Sequence, residues 1–314
     1  MRILFCSESF AAASKTLAQR LSRDDEVAVC HRDRIQAALD GVDVVIPLMC
    51  RIDAPLMEAG HFRLIQQWGA GLEGVDLIAA KQRGIWVSNV PATGNNADSV
   101  AEHAILLMLA LLRNLPAAAA SVRAGVLGIP QGRMLASRTV CLYGLGSIAR
   151  ALTLRLRPFG VRIVGVTRDP DARKVSEFGL DACYGTSDLH AALAHSDILV
   201  LCSRQDPATQ GAIDASAFRA LPPGACQVNA ARGGLVDYDA LYEALAGGRL
   251  AGAALDVYWN EPVAPDDPLL ALPNVIATPH IAGVTDRSYE EIADAVWNNI
   301  ERLRRNERPL NCVV

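Results

Sequence analysis

The run Val140-Cys141-Leu142-Tyr143 passes directly into Gly144-Leu145-Gly146-Ser147-Ile148-Ala149, and this junction limits what the chain can fold into. The apolar run predicts a buried strand, and the spacing of Ile148, Leu152, Leu156 and Phe159 predicts an amphipathic helix after it. A G-x-G-x-x-A pattern alone is a glycine-rich turn of the kind many α/β proteins carry. Set between a strand and a helix, it reads as a dinucleotide-binding fingerprint. Gly144 permits the sharp turn, and Gly146 lacks the side chain that would block a pyrophosphate. The N–H groups at the start of the helix and its positive dipole end attract that anion. Ala149 takes the third glycine position, which governs only helix–strand packing.

With 314 residues, 51% of them hydrophobic, the chain has enough material for two domains with separate cores. A net charge of −4 with both signs interspersed implies no nucleic-acid surface and no polybasic membrane surface. The eight cysteines lie scattered, with no C-x-x-C and no close Cys/His spacing. Reduced thiols are therefore expected, with neither a disulfide frame nor a metal site. The strand-like start at 2–6 and the shortness of the most apolar helix candidate, 104–112, lead to the expectation of a cytoplasmic protein.

Short apolar strands alternate with helical segments along the whole chain, which predicts parallel sheets covered on both faces. In the first part, strands are expected at 2–6, 27–30, 42–47, 64–68 and 85–90, and a Pro/Gly/Asn-rich hinge turn at 91–96. Residues 99–115 form a helix apolar nearly all round, which must bury several sides. An irregular alanine-rich stretch then leads to the strand at 139–143. Further strands are expected at 161–166, 182–184, 197–202, 225–230, 251–257 and 274–277, as a doubly wound sheet built on the glycine turn. A long amphipathic helix over 288–305 is expected to return to the first part. The chain is thus read as two doubly wound α/β domains, 1–95 plus 287–314 and an inserted Rossmann domain, 96–286.

Three polar residues of the second half follow predicted strands: Arg232, Glu261 and His280. Ligands bind at the carboxyl ends of parallel strands, so all three can meet in one crevice. A carbonyl reduced by hydride needs a proton donor, and histidine exchanges protons near neutral pH. A carboxylate beside that histidine favours the imidazolium, and an arginine can hold a substrate carboxylate while polarising the neighbouring carbonyl. Singly, each residue has a structural explanation, His280 as a core histidine and Arg232 with Glu261 as an ion pair. At the end of the strand 161–166, Thr167 and Arg168 stand where dinucleotide folds carry an acidic residue for the ribose hydroxyls. Both can bind a 2′-phosphate, which favours NADP(H) over NAD(H), although an inward-turned Asp169 would restore NAD(H).

Across nearly its whole length the chain resembles the D-isomer-specific 2-hydroxyacid dehydrogenase family. Gly69-Ala70-Gly71-Leu72-Glu73-Gly74-Val75-Asp76 is similar to the family's substrate-loop signature, and Asn96-Ala97-Asp98-Ser99-Val100-Ala101-Glu102 to the start of its inter-domain helix. Asn229-Ala230-Ala231-Arg232-Gly233-Gly234-Leu235-Val236-Asp237 resembles its arginine motif. Leu255-Asp256-Val257 with Glu261-Pro262, and Thr278-Pro279-His280-Ile281-Ala282-Gly283, resemble its glutamate and histidine motifs. The resemblance implies a flavodoxin-like substrate domain, and His280 as proton donor paired with Glu261. It gives Arg232 the carboxylate and carbonyl of a 2-oxo acid, with the N–H groups of Ala70 and Gly71 on the same carboxylate. It gives Asp256 and the carbonyl of Ala230 the nicotinamide carboxamide, with Gly144, Leu145, Gly146, Ser147 and Ile148 at the pyrophosphate. It also implies a homodimer through the nucleotide domains, and closure of the domains over bound cofactor.

The departures narrow the reading. Family members commonly carry a histidine and a proline where this chain has Cys202-Ser203-Arg204-Gln205-Asp206. Ser203 and Arg204 are cofactor-contact candidates there, Arg204 beside Arg168 on a 2′-phosphate. Thr167 in place of an acidic residue resembles the NADPH-preferring glyoxylate and hydroxypyruvate reductases. Pro47 stands where phosphoglycerate dehydrogenases place a basic residue, and Glu261 where formate dehydrogenases have glutamine. The expectation is reduction of a small 2-oxo acid, glyoxylate or hydroxypyruvate, with Leu48, Met49 and Trp259 as pocket candidates. Two rivals stay open: an NADH-linked dehydrogenase for a larger apolar hydroxy acid, and a cofactor-sensing, corepressor-like binding protein.

Overall fold

A computed structural model describes the whole chain, Met1–Val314, which divides into two compact units. The first comprises Met1–Asn96 and Thr285–Val314, and the second Ala97–Val284.

Five strands build the first unit: β1 (Arg2–Phe5), β2 (Glu26–Val29), β3 (Val44–Ile46), β4 (Leu64–Gln66) and β5 (Trp86–Ser88). They are hydrogen-bonded in the order β2-β1-β3-β4-β5 and every pair is parallel, which is the flavodoxin-like arrangement. On one face Leu4, Val45, Ile65 and Val87 pack with Ile35, Met57 and Ala80. The helix Asp286–Arg304 returns to this unit and packs on the helix Ala11–Ala18. Its buried residues Ile292, Val296, Ile300 and Leu303 recur at helical spacing and form one apolar stripe. Within that stripe Asn299 is 2% exposed, and its Nδ2 donates to Gln66 Oε1 at 2.8 Å and Ser88 Oγ at 3.1 Å. The buried amide is thus satisfied by the ends of β4 and β5.

Seven strands build the second unit: β6 (Thr139–Tyr143), β7 (Arg162–Thr167), β8 (Ala182–Gly185), β9 (Ile198–Leu201), β10 (Ala225–Asn229), β11 (Leu250–Leu255) and β12 (Val275–Ala277). Their order is β12-β11-β10-β9-β6-β7-β8, again all parallel, so the winding reverses between β6 and β9 as in the Rossmann fold. Alternation along β6 sends Cys141 and Tyr143 into one core and Val140 and Leu142 into the other. Both faces are buried, which explains why the strand reads as an unbroken apolar run.

Three local expectations are corrected. The hinge turn is shorter than 91–96, because the helix Gly94–Arg113 starts five residues before Ser99. The stretch after it is not wholly irregular, since Leu115–Arg123 is a second helix. The short helices Ala54–Ala59 and Leu77–Gln82 were not expected; Asp53 and Asp76 cap them by accepting from Leu56 N and Ala79 N. No single helix is long and apolar enough to cross a membrane.

Candidate active site

The glycine turn leaves β6 beside the loop that leaves β9, at the point where the strand order reverses. Gly144 has φ +100°, and a Cβ there would lie 2.6 Å from the backbone N and Cα of Ser203. Only glycine fits both demands. Gly146 is exposed at the N-terminus of the helix Ser147–Leu156, with open space where its Cβ would stand. No side chain caps this helix. The turn therefore presents the helix's first N–H groups across a cleared surface, which fits the pyrophosphate of a dinucleotide.

At the end of β7, Thr167 Oγ1 accepts from Lys174 Nζ at 3.3 Å. Lys174 lies on the helix Ala172–Phe178 and was missed in the sequence, although it follows Thr167 by only seven residues. Arg168 is exposed and pairs with Asp206 Oδ2 at 3.3 Å, while Arg204 and Asp169 are exposed. Ser203 Oγ turns back on the carbonyl of Arg204 at 3.1 Å.

The arginine motif follows β10. Asn229, fully buried, donates from Nδ2 to the carbonyl of Arg232 at 2.9 Å and accepts from Ala231 N at 3.1 Å, so it pins the turn through Ala230. A Cβ on Gly233 would meet the Tyr258 carbonyl carbon at 2.2 Å. That close backbone approach brings the Arg232 segment against the segment carrying Glu261. Glu261 accepts from Tyr258 N at 3.0 Å through Oε1, and its Oε2 lies 2.6 Å from His280 Nδ1. The glutamate–histidine pair is thus formed, both side chains partly buried. Trp259 is tied down locally, donating to the carbonyl of Val236 at 2.7 Å and meeting Tyr238 edge-on.

His280 itself has φ +55°, a backbone conformation that non-glycine residues seldom adopt. The loop around it is held by Asp256. Oδ1 of this fully buried carboxylate accepts from Thr278 Oγ1 at 2.6 Å and Ile281 N at 2.9 Å, and Oδ2 accepts from Ala282 N at 2.8 Å. Burial works to raise the Asp256 carboxyl, but hydrogen bonds from His103, Thr278, Ile281 and Ala282 outweigh it and hold the group below the usual carboxylate range. Asp256, which the family resemblance places at the nicotinamide carboxamide, thus also holds the histidine loop through its oxygens.

In the first unit, the loop after β4 carries Ala70 and Gly71. Asn89 Nδ2 donates to the carbonyl of Ala70 at 2.7 Å, and Gln67 Nε2 to the carbonyls of Gly71 at 2.8 Å and Leu48 at 2.9 Å. The carbonyls of both residues are therefore taken up by side-chain amides from the flanking chain. Gln67 and Asn89 were not singled out in the sequence; their signal is an amide at each edge of the glycine loop.

A profile of the D-isomer specific 2-hydroxyacid dehydrogenase NAD binding domain matches residues 105–282. The chain belongs to the D-isomer specific 2-hydroxyacid dehydrogenase family. A glyoxylate reductase of Korarchaeum cryptofilum is 32% identical over 296 residues, covering 92% of this chain and 87% of that protein. A D-3-phosphoglycerate dehydrogenase of Archaeoglobus fulgidus is 34% identical over 273 residues, covering 86% of this chain; the chain spans about half, 51%, of that relative's length. Among solved structures, an NADPH-dependent glyoxylate/hydroxypyruvate reductase from Sinorhizobium meliloti, in complex with citrate, superposes with a TM-score of 0.84 at 32% identity, covering 100% of this chain and 97% of that one.

Proposed function

We propose that the protein reduces a small 2-oxo acid, glyoxylate or hydroxypyruvate, to the D-2-hydroxy acid with a reduced nicotinamide dinucleotide. The observation that carries this reading is the 2.6 Å contact between His280 Nδ1 and Glu261 Oε2 beside the arginine turn. With Nδ1 committed to the glutamate, His280 delivers the proton to the substrate oxygen from Nε2. Glu261 orients the ring through its contact with Nδ1. Arg232 binds the substrate carboxylate and polarises the adjacent carbonyl. The N–H groups of Ala70 and Gly71 are a further anion-binding feature on the first unit. When bound, the dinucleotide supplies the hydride. Gly144, Leu145, Gly146, Ser147 and Ile148 hold its pyrophosphate, and the turn at Ala230 receives its nicotinamide amide.

NADPH is the proposed cofactor, because Thr167, Arg168 and Lys174 cluster at the end of β7 with Arg204 on the neighbouring loop. The pairing of Arg168 with Asp206 favours the second reading, NADH. The named glyoxylate reductases among the relatives support the substrate, as does Pro47 in place of a phosphate-binding cation. A cytoplasmic homodimer is also proposed. Leu115, Val122, Leu127, Ile129 and Met134 are each exposed on or after the helix Leu115–Arg123, and this unusual number of exposed apolar side chains supports a covering partner.

The test is loss of reduced-nicotinamide absorbance with glyoxylate and hydroxypyruvate, using NADPH and NADH in parallel. Fast turnover with NADPH supports the full reading, and turnover with NADH alone keeps the reaction and reverses the cofactor. Tight cofactor binding without turnover on any small 2-oxo acid rejects the enzyme in favour of a cofactor sensor.

A further inference from the structure

The helix Gly94–Arg113 sends two polar side chains, one turn apart, to the loop that carries His280. Ser99, 6% exposed, donates from Oγ to the carbonyl of Ala282 at 2.7 Å. His103 Nε2 lies 3.1 Å from Thr278 Oγ1 and 3.5 Å from Asp256 Oδ1. Spacing of i and i+4 puts both on one helix face. They therefore grip the loop at its two ends, Thr278 before His280 and Ala282 after it.

The hydrogen-bond roles in this cluster follow from counting protons. A threonine hydroxyl has one proton, and Thr278 spends it on Asp256 Oδ1, 2.6 Å away. Toward His103 it must accept, so His103 Nε2 carries the proton and donates. The Nε2 proton of His103 thus faces both Thr278 Oγ1 and Asp256 Oδ1, and the Asp256 oxygens also receive the N–H groups of Ile281 and Ala282. His280 sits between these anchored residues with its unusual φ of +55°. A backbone in that region persists only where its surroundings over-determine it.

We propose that Ser99 and His103 are positioning residues that fix the place of His280, His103 through its Nε2 proton and Ser99 through Ala282. The inference rests on the proposed role of His280 for its catalytic consequence, but the anchoring is measurable without it. Three variants separate the contributions: His103→Phe removes the donor, His103→Gln restores an N–H donor, and Ser99→Ala releases the other end.

Amide hydrogen exchange over residues 278–283 is followed together with NADPH affinity and kcat. Faster exchange of Ile281 and Ala282 in His103→Phe and Ser99→Ala, with protection recovered in His103→Gln, is the expected result. Where the wild type reduces a 2-oxo acid, kcat should fall roughly 10- to 100-fold in His103→Phe, the scale of one or two lost buried hydrogen bonds, while NADPH affinity holds. Unchanged exchange in His103→Phe, or an equal loss in His103→Gln, overturns the proposal. If the wild type turns over no 2-oxo acid, the proposed function fails, and the exchange data alone still decide whether the two residues anchor the loop. Ser99→Ala, the smallest change, provides the same test should His103→Phe not fold.

Discussion

His280 Nδ1 and Glu261 Oε2 are 2.6 Å apart, and the glutamate's other oxygen is held by the backbone N–H of Tyr258. The pair therefore has a fixed geometry on the protein side. If His280 delivers the proton, His280→Ala should lower kcat by about 10²–10⁴-fold, the usual contribution of a positioned acid. NADPH affinity should change little. Glu261→Gln keeps the side chain's shape but loses its charge, and should lower kcat by a smaller factor. Steady-state kinetics beside fluorescence titration of NADPH checks both; a near-normal kcat in His280→Ala removes it from the mechanism.

Gly144 and Gly146 should fail differently. A Cβ at 144 would lie 2.6 Å from Ser203 backbone atoms that cannot swing away, at a φ of +100°. Gly144→Ala should therefore lower Tm, as strained backbone substitutions do. A side chain at 146 meets nothing within 4 Å, and φ there is −117°. Gly146→Val should keep a near-native Tm yet lose NADPH affinity, because its side chain fills the space assigned to the pyrophosphate. Thermal melts with and without cofactor separate the two outcomes, and equal NADPH affinity in Gly146→Val would remove the glycine turn from the cofactor site.

The strand pattern was legible because the central strands are buried on both faces, so β1, β3, β6 and β9 read as compact apolar runs. The Glu261–His280 pair was legible because both residues follow strands at the same sheet edge. Other parts were not. Leu115–Arg123 has no buried residue, so its alanine-rich run offers no core-facing side to read. The two short helices after β3 and β4 are held by aspartate caps rather than by an apolar period. His103 escaped because its partner Thr278 lies 175 positions away. Nothing local announces a pairing across such a distance. Asp256 was recognised, but its hold on the histidine loop was not, since an L-D-V run says nothing about which N–H groups the carboxylate meets.

The cofactor preference turns on the end of β7. Thr167 accepts from Lys174, so the hydroxyl and the ammonium stand together. Lys174→Ala should weaken NADPH binding roughly 10- to 100-fold, one charge-assisted hydrogen bond, and leave NADH unchanged. Thr167→Asp should reverse the preference by repelling the 2′-phosphate while accepting from the ribose hydroxyls. Dissociation constants for both dinucleotides decide; equal losses for the two would assign Lys174 to structure alone.

Leu127 is 92% exposed in the apolar stretch after the helix Leu115–Arg123. If a second copy covers that stretch, Leu127→Glu should shift the protein from dimer toward monomer in sedimentation at micromolar concentration. A wild type that sediments as a monomer would reject the proposed interface.

Asp256 links stability to pH in a definite direction. Its folded carboxyl is held below the usual range despite burial, so the ionised form is the one the fold prefers. Its contribution is complete above the unfolded carboxylate value, about 4, and is lost as pH falls from there through the folded value. Asp256→Asn replaces one acceptor oxygen by a donor facing donors already present at Thr278, Ile281 or Ala282. At pH 7 the substitution should destabilise the protein by about 1–3 kcal/mol, the cost of unsatisfied buried groups. As pH falls below about 4 the wild type loses the same advantage, so the gap between the two proteins should narrow. Urea unfolding at a series of pH values measures that gap directly, and a gap that stays constant into the acid range would show that the Asp256 charge does not stabilise the fold.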